Sequence, residues 1–232
     1  PDDVETGPVE TPAESTPEPS GDPQTGESAQ ANTEQPEYVS PEEIQASATG
    51  EYEEVGGMMI DTGTGKDKYL TDPVPEGKPA PVEPENAEVG DAEYTCTLSI
   101  SCATILNNMD LCDPEKRELV PEDGWILKPT VVTFYEGESV FNVLQRTCKQ
   151  QKIHMEFVNT PAYNSAYIEG IHNLYEFDVG NLSGWMYKVN DWFPNYGCSR
   201  YAVQAGDVIE WMYTCDLGSD VGGGGVSQGY EE

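Results

Sequence analysis

The sequence has few basic residues. It holds 11 Lys and Arg against 43 Asp and Glu, which gives a formal net charge of −32 at pH 7. Binding to nucleic-acid phosphates requires clustered cationic side chains, and an anionic lipid surface attracts the same kind of cluster. We therefore expect no nucleic-acid partner and no attachment to an anionic membrane surface.

Long apolar runs are missing as well. No stretch of about 18 apolar residues occurs, so we expect no membrane-spanning helix in this sequence. The first residues, PDDVETG, carry neither the basic region nor the apolar region of a signal peptide. The sequence could therefore be a mature or trimmed form.

Residues 1–90 contain no Cys, Trp or Phe and hold 13 of the 18 prolines, with 22 acidic and only three basic residues. Such a composition buries too little apolar area to offset the entropy of the chain. We predict an acidic, Pro/Glu/Thr-rich disordered stalk over residues 1–90, in which residues 52–85 could dock on the following domain or on a partner. Residues 91–221 are predicted to form one domain, and residues 222–232 a flexible glycine-rich tail.

All six cysteines lie in the predicted domain, and none forms a CxxC pair of the kind that zinc ribbons or thioredoxin sites use. This favours disulfides in an oxidising compartment. Six cysteines allow 15 pairings, and the sequence does not choose among them. Cys198 and Cys215 flank the last predicted hairpin and could close across it.

Hydrophobic alternation predicts strands at residues 94–101, 125–135, 185–189 and 208–213. Pro129 makes the second of these an edge strand or a bulged one. A helix is predicted from Val140, with Ser139 as its N-cap, and short extended runs between 155 and 178 should complete the sheet. One helix among several strands predicts an α+β domain in which the helix lies across one mixed sheet.

Catalytic motifs are absent, since no GxSxG, HExxH or GxxxxGK[ST] pattern occurs and the chain has two histidines. Cys148 with His154 or His172 is a formal Cys/His possibility. Asp216 and Asp220 could offer oxygen ligands to a hard cation, but their spacing is not that of an EF-hand. We predict neither an enzyme nor a metal site.

Aromatic residues are the strongest remaining signal. Trp192, Phe193 and Tyr196 fall in one short loop between two predicted strands, where burying all three rings is difficult. Exposed aromatic clusters are typical of binding surfaces. The predicted ligand-binding residues are Trp185, Trp192, Phe193, Tyr196, Tyr167 and Tyr163.

Four segments, GESVFNVLQRTC, AYIEGIHNLYEFD, SGWMYKVNDWFPNYGCSRY and AGDVIEWMYTCDLG, occur in this order. They resemble the transcobalamin-like C-terminal domain family of Gram-positive bacteria, the domain of unknown function 4430. The resemblance implies a β-grasp-like α+β domain. In the animal vitamin B12 carriers the similar domain caps a corrinoid, so the resemblance implies that the loop from Asn190 to Tyr196 faces a ligand. This sequence has no helical barrel domain of the kind that those carriers possess.

Two functions follow as hypotheses. The first is a non-enzymatic extracellular or cell-surface binding module whose ligand could be a corrinoid such as cobalamin. The second is a structural or adhesive protein that contacts surface proteins or glycans, with residues 52–85 as a strand donor.

Overall fold

The computed structural model describes residues 40–224 of the 232-residue chain. Residues 1–39 of the predicted stalk and residues 225–232 of the predicted tail lie outside the described residues. Among residues 40–224, no helix has the length and apolar character needed to cross a membrane. The helices and strands of this part are α1 Pro41–Ala46, β1 Tyr52–Val55, β2 Met58–Asp61, β3 Glu93–Ser101, β4 Trp125–Tyr135, α2 Val140–Gln151, β5 Met155–Thr160, β6 Ser165–Ile171, β7 Leu174–Tyr175, β8 Gly184–Val189 and β9 Val208–Thr214.

Four strands form the main sheet, in the order β4-β3-β9-β8. The two central strands, β3 and β9, run parallel, and each pairs antiparallel with its outer neighbour. The predicted α+β class with a β-grasp-like mixed sheet is confirmed. Pro129 lies in β4, which is an edge strand as expected, because proline cannot donate a ladder hydrogen bond to a second neighbour.

The helix α2 packs its apolar face into the core that this sheet also faces. Ser139 is the N-cap, as predicted: its hydroxyl accepts from Asn142 N, and the Asn142 side chain accepts from Ser139 N. The helix ends at Gln151, because the left-handed backbone of its C-cap, Lys152, stops further helical hydrogen bonding. The buried residues share one face and are Val140, Val143, Leu144, Thr147 and Cys148.

The short strands β5, β6 and β7 form a separate three-stranded sheet, not the continuation of the main sheet that the sequence predicts. The turn between β6 and β7 consists of His172 and Asn173, both with positive φ of 58°, which closes a tight two-residue hairpin. The alternation of apolar and polar residues predicts that these segments are extended, but it does not predict which strands pair with one another.

Residues 40–90, which the sequence places in the stalk, contain α1 and the hairpin β1–β2. Gly56 and Gly57 both have positive φ and form the hairpin turn, for which a Gly-Gly pair is a known signal. The buried carboxylate of Asp61 accepts hydrogen bonds from four backbone N–H groups, those of Thr49, Gly50, Gly63 and Thr64. Burial alone would raise the pKa of Asp61, but these bonds outweigh it and the pKa is lowered. Met58 and Ile60 are buried too, so this part of the chain buries more than its composition suggests.

The six cysteines are all free thiols in this structure, so the expectation of disulfides, including a Cys198–Cys215 bridge, is wrong for it. Cys198 lies against Ala166 O, whereas Cys215 lies against the Thr104 hydroxyl, on different elements. A free cysteine in a core acts as a small apolar residue, which explains the burial of five of the six.

A thiol count tests this finding. Burial raises the pKa of Cys102, Cys148 and Cys198 to about 12, so these thiols stay protonated and unreactive at neutral pH. We expect Ellman's reagent to find six thiols per chain in denaturant, for protein purified without reductant, and almost none in the first minutes for the folded chain. Four or fewer thiols in denaturant would show that a bridge forms.

The pair Glu138–Arg146 joins the turn between β4 and α2 to the helix itself and predicts acid sensitivity. Burial alone would raise the pKa of Glu138, but the bidentate bonds from Arg146 and the bond from Tyr135 N outweigh it and lower the pKa below the ordinary 4.5. A pKa lowered in the folded state adds stability that is complete above about pH 4.5 and is lost as the pH falls through the folded value. We expect Glu138→Gln to be less stable at neutral pH and to lose less stability on acidification, measured by urea unfolding at pH 7 and pH 3.5.

The control is Glu122→Gln, because Glu122 is exposed. Its stability should match that of the unsubstituted chain at both pH values. If Glu138→Gln loses as much stability between pH 7 and pH 3.5 as the unsubstituted chain, the lowered pKa of Glu138 is contradicted.

Candidate functional site

The predicted aromatic loop begins at a tight turn after β8. Asn190 and Asp191 both have positive φ, and Val189 and Trp192 exchange two backbone hydrogen bonds across them, at 2.8 and 3.0 Å. The Asn190 amide fixes the turn to the start of β9, because it donates to Asp207 Oδ1 and accepts from the N–H of Val208. The side chains that follow are therefore presented from a rigid turn.

Trp192 and Phe193 are both partly exposed. The Trp192 ring contacts Tyr196 edge-on, with centroids 5.9 Å apart, and lies 6.4 Å from the ring of Tyr201. Phe193 packs so closely on Gly223 that a Cβ there would lie 2.9 Å from its ring. These two side chains keep a defined orientation while part of each ring reaches the surface.

Tyr196 is buried, with 3% of its surface exposed. Its hydroxyl donates to Pro79 O at 2.7 Å, and its own carbonyl accepts from the hydroxyl of Tyr187 at 2.7 Å. Burial raises the pKa of Tyr196, so the phenol remains protonated and acts as a donor. Tyr196 therefore supports the loop and does not reach a ligand in this arrangement.

Residues 67–83, which we call the strap, lie against the aromatic loop and lie within the segment predicted to dock. Asn195 Nδ2 donates to Asp72 O at 3.0 Å, and the ammonium group of Lys78 lies 5.4 Å from the centroid of Trp192. Val82 N donates to Arg200 O at 2.8 Å. The strap thus covers part of the surface that the loop would offer to a ligand.

Arg200 holds the strap through a buried guanidinium group with 1% of the residue exposed. Nη2 lies 2.6 Å from Asp67 Oδ2 and 2.6 Å from Glu83 Oε1, and Nη1 donates to the Thr71 hydroxyl at 2.6 Å. The ring of Tyr69 lies 5.1 Å from the guanidinium carbon. A buried cation requires such partners, since an unpaired charge in a protein interior is strongly unfavourable.

Of the other predicted binding residues, Trp185 lies in the core, and Tyr163 and Tyr167 lie on β6 or next to it. Trp185 is 8% exposed, donates to Leu174 O at 2.8 Å and meets the ring of Tyr213 edge-on, so it is a core residue. Tyr163 is half-buried, and Tyr167 is 37% exposed on β6. This strand lies beside the loop, because Ala166 N donates to the hydroxyl of Ser199. A role of these residues in ligand binding stays a prediction.

Sequence reasoning missed Arg200 and its partners. A signal was available for the strap alone, since all three basic residues of 1–90 are lysines at 66, 68 and 78, within or next to it. The clustering of rare positive charges marks this segment as different from the rest of the acidic region. Nothing in the sequence indicates which cation the acids of the strap would meet.

A cavity of about 190 Å³ lies on the main sheet. The register places Ser99 and Ser101 of β3 beside Glu210 and Met212 of β9, on the face opposite Leu98, Ile100 and Ile209. Trp125 closes one side of it. No predicted binding residue lines this cavity, so the loop and the cavity are separate features.

The C-terminal segment that could offer ligands to a cation is occupied with internal contacts. The Asp220 carboxylate accepts from the Thr214 hydroxyl and from the N–H of Cys215. Within residues 40–224, no group of three or more His, Cys, Asp or Glu side chains converges in a way that could hold a metal ion.

Comparison with known proteins gives one family and several solved structures. The chain is similar to haptocorrin, crystallised in complex with Cbi, at 15% identity and a TM-score of 0.41, over 55% of this chain and 26% of that chain. It is also similar to a protein of Ruminococcus gnavus ATCC 29149 provisionally described as a metal binding protein, at 13% identity and a TM-score of 0.32, over 52% of this chain and 96% of that one. No curated protein matches the chain. The family model described as "Domain of unknown function (DUF4430)" matches residues 137–215, which run from the turn before α2 to the end of β9. The predicted family resemblance is therefore confirmed over residues 137–215.

Proposed function

We propose that this chain is a non-enzymatic binding module that holds a corrinoid against the Trp192–Phe193 turn. The observation that carries the proposal is that both rings are partly exposed although Pro194, Tyr196 and Cys198, which follow them, are buried. Aromatic rings held in fixed positions at a surface suit a ligand with a broad, partly apolar face. The corrinoid is chosen because the sequence resembles a family in which the corresponding loop faces one.

The absence of catalytic activity is supported by the state of the one candidate nucleophile. Burial raises the pKa of Cys148 to about 12, whereas a catalytic cysteine needs a lowered pKa. His154 does not act as its base, because Nε2 lies 3.4 Å from the Tyr175 hydroxyl and 3.5 Å from Glu156, while the buried Nδ1 has no hydrogen-bond partner. The contacts of His154 are therefore with Tyr175 and Glu156 and not with Cys148.

An extracellular or cell-surface location belongs to the same proposal. It is supported by the family resemblance and by the acidic, proline-rich composition of residues 1–90. At such a location the partner would be a free corrinoid, and a surface protein or a glycan is the alternative occupant of the same aromatic turn.

Titration with corrinoids tests the proposal. We expect the absorbance spectrum of cobinamide or cobalamin to change on addition of the full chain, with saturation at a 1:1 ratio. The double variant Trp192→Ala/Phe193→Ala should weaken binding by at least about 10-fold, because one lost aromatic contact is worth about 1 kcal/mol or more.

Phe177→Ala is the matched control, since Phe177 is 56% exposed and lies outside the loop. It should bind with unchanged affinity. The proposal fails if neither corrinoid gives a spectral or calorimetric response at high micromolar concentration. It also fails if Phe177→Ala and the loop variant lose affinity equally.

A further inference from the structure

We propose that the surface beneath the strap is a binding site for an acidic peptide, and that the strap of a second copy of this chain can occupy it. The site consists of Arg200, Asn195, Tyr196 and Trp192. Its own strap fills it in the structure, so the observed contacts show the chemistry that a peptide supplied by another molecule must reproduce. This inference does not depend on corrinoid binding.

Selectivity comes from Arg200, because one guanidinium group binds two carboxylates that are distant in the sequence. Asp67 and Glu83 each approach Nη2 to 2.6 Å, and Glu83 also accepts from Nε at 3.1 Å. Charge-assisted bonds of this kind are strong and directional. A peptide therefore needs two acidic side chains that converge on one point, with a hydroxyl such as that of Thr71 between them.

The remaining contacts recognise the peptide backbone. Tyr196 donates to Pro79 O, Asn195 donates to Asp72 O, and Arg200 O accepts from Val82 N. Pairing through main-chain groups, with a few side chains for selectivity, is how proteins commonly bind extended peptides. No contact in this set requires that the strap belong to the same chain.

The connection between the strap and β3 permits exchange. Residues 84–92 join the two, and none of these nine residues is buried. Gly90 and Ala92 pair with the backbone of Glu136, so the part that can rearrange is residues 84–89. Fully extended, these six residues would span about 20 Å, over which the strap can move from its own surface while β3 stays in the sheet. Exchange of an identical segment between copies costs little, because every hydrogen bond and ion pair broken within one chain re-forms with the other.

The charge of the strap region favours it as the exchanged segment. A net charge of −32 opposes the approach of two copies. Within residues 1–90 the three lysines, at positions 66, 68 and 78, are confined to the strap and the residue before it, so this region is the least repelled by another copy.

Two complementary variants test the proposal in the full chain. Arg200→Gln has an intact strap but cannot hold it, whereas Asp67→Asn/Glu83→Gln keeps the site but has a weakened strap. We expect each variant alone to be monomeric in light scattering, and an equimolar mixture to form a species of twice the monomer mass. A synthetic peptide of residues 66–85 in excess should return the mixture to monomer.

Glu76→Gln/Glu88→Gln is the matched control for the double variant, since both side chains are exposed and it removes the same charge. A mixture of this control with Arg200→Gln should stay monomeric, because the control keeps Asp67 and Glu83 and its own strap fills its own site. Circular dichroism of each variant establishes that it is folded. The proposal is overturned if folded Arg200→Gln and Asp67→Asn/Glu83→Gln remain monomeric when mixed, if either dimerises alone, or if the control mixture dimerises equally.

Discussion

Replacing Arg200 with glutamine is expected to release the strap and expose it to trypsin. The substitution removes the guanidinium group that pairs with Asp67 and Glu83, and removal of one partner from a buried pair costs about 3–5 kcal/mol. Cleavage of a native protein follows the population of the open form, so this loss corresponds to cleavage at least about 100-fold faster. The cuts should follow Lys66 and Lys68, because Lys78 precedes a proline. Mass spectrometry of a short digest measures the rate at each bond.

Arg117→Gln is the control for this experiment. Arg117 is exposed, and its Nε donates to Cys112 O, far in sequence from the strap. In the Arg117→Gln variant the strap should be cleaved at the same rate as in the unsubstituted chain. Equal cleavage in the Arg200→Gln variant and the unsubstituted chain would show that the ion pairs do not hold the strap.

Trp185→Ala is expected to lower the free energy of unfolding by about 3–5 kcal/mol, as for other large aromatic residues removed from a core. Trp185 is 8% exposed, and its loss would remove the edge-on contact with Tyr213 and leave Leu174 O without its donor. An unsatisfied buried carbonyl adds its own desolvation cost. Chemical denaturation of the variant against the unsubstituted chain measures the effect.

Trp192→Ala separates a core role from a binding role. Because Trp192 is partly exposed, this variant should lose about 1 kcal/mol or less of stability, and it should lose corrinoid affinity. Trp185→Phe, which keeps most of the ring volume, should bind the corrinoid as the unsubstituted chain does. The opposite pattern, a stable Trp185→Ala with lost binding, would place Trp185 in the site as the sequence predicts.

Much of the main sheet could be predicted because its signals are local. Alternation gives the bounds of β4 at Trp125 and Tyr135, and the N-cap at Ser139 follows from side-chain chemistry within one turn of helix. The separation of β5, β6 and β7 into a second sheet could not be predicted, since strand pairing depends on contacts between residues distant in the sequence. The Gly56–Gly57 hairpin was predictable from its turn residues, but the acidic composition around it suggested a stalk.

The candidate site shows a similar division. The sequence identifies the Trp192–Phe193 turn because aromatic residues and turn residues occur together. It does not separate those rings from Trp185 and Tyr196, whose burial depends on Leu174, on Pro79 and on other residues distant in the sequence. It also gives no indication of Arg200, because a buried arginine is stabilised by the particular acids that reach it, and neither hydropathy nor spacing records that pairing.

The indole N–H signals of the four tryptophans test the central claim most directly. Chains labelled with 15N-tryptophan should give four such signals, which substitution of single tryptophans by phenylalanine assigns. On addition of cobinamide we expect the Trp192 signal to shift and the signals of Trp125, Trp185 and Trp211 to stay in place. A shift of the Trp125 signal with Trp192 unmoved would locate the ligand at the cavity on the main sheet, and four unmoved signals would contradict corrinoid binding altogether.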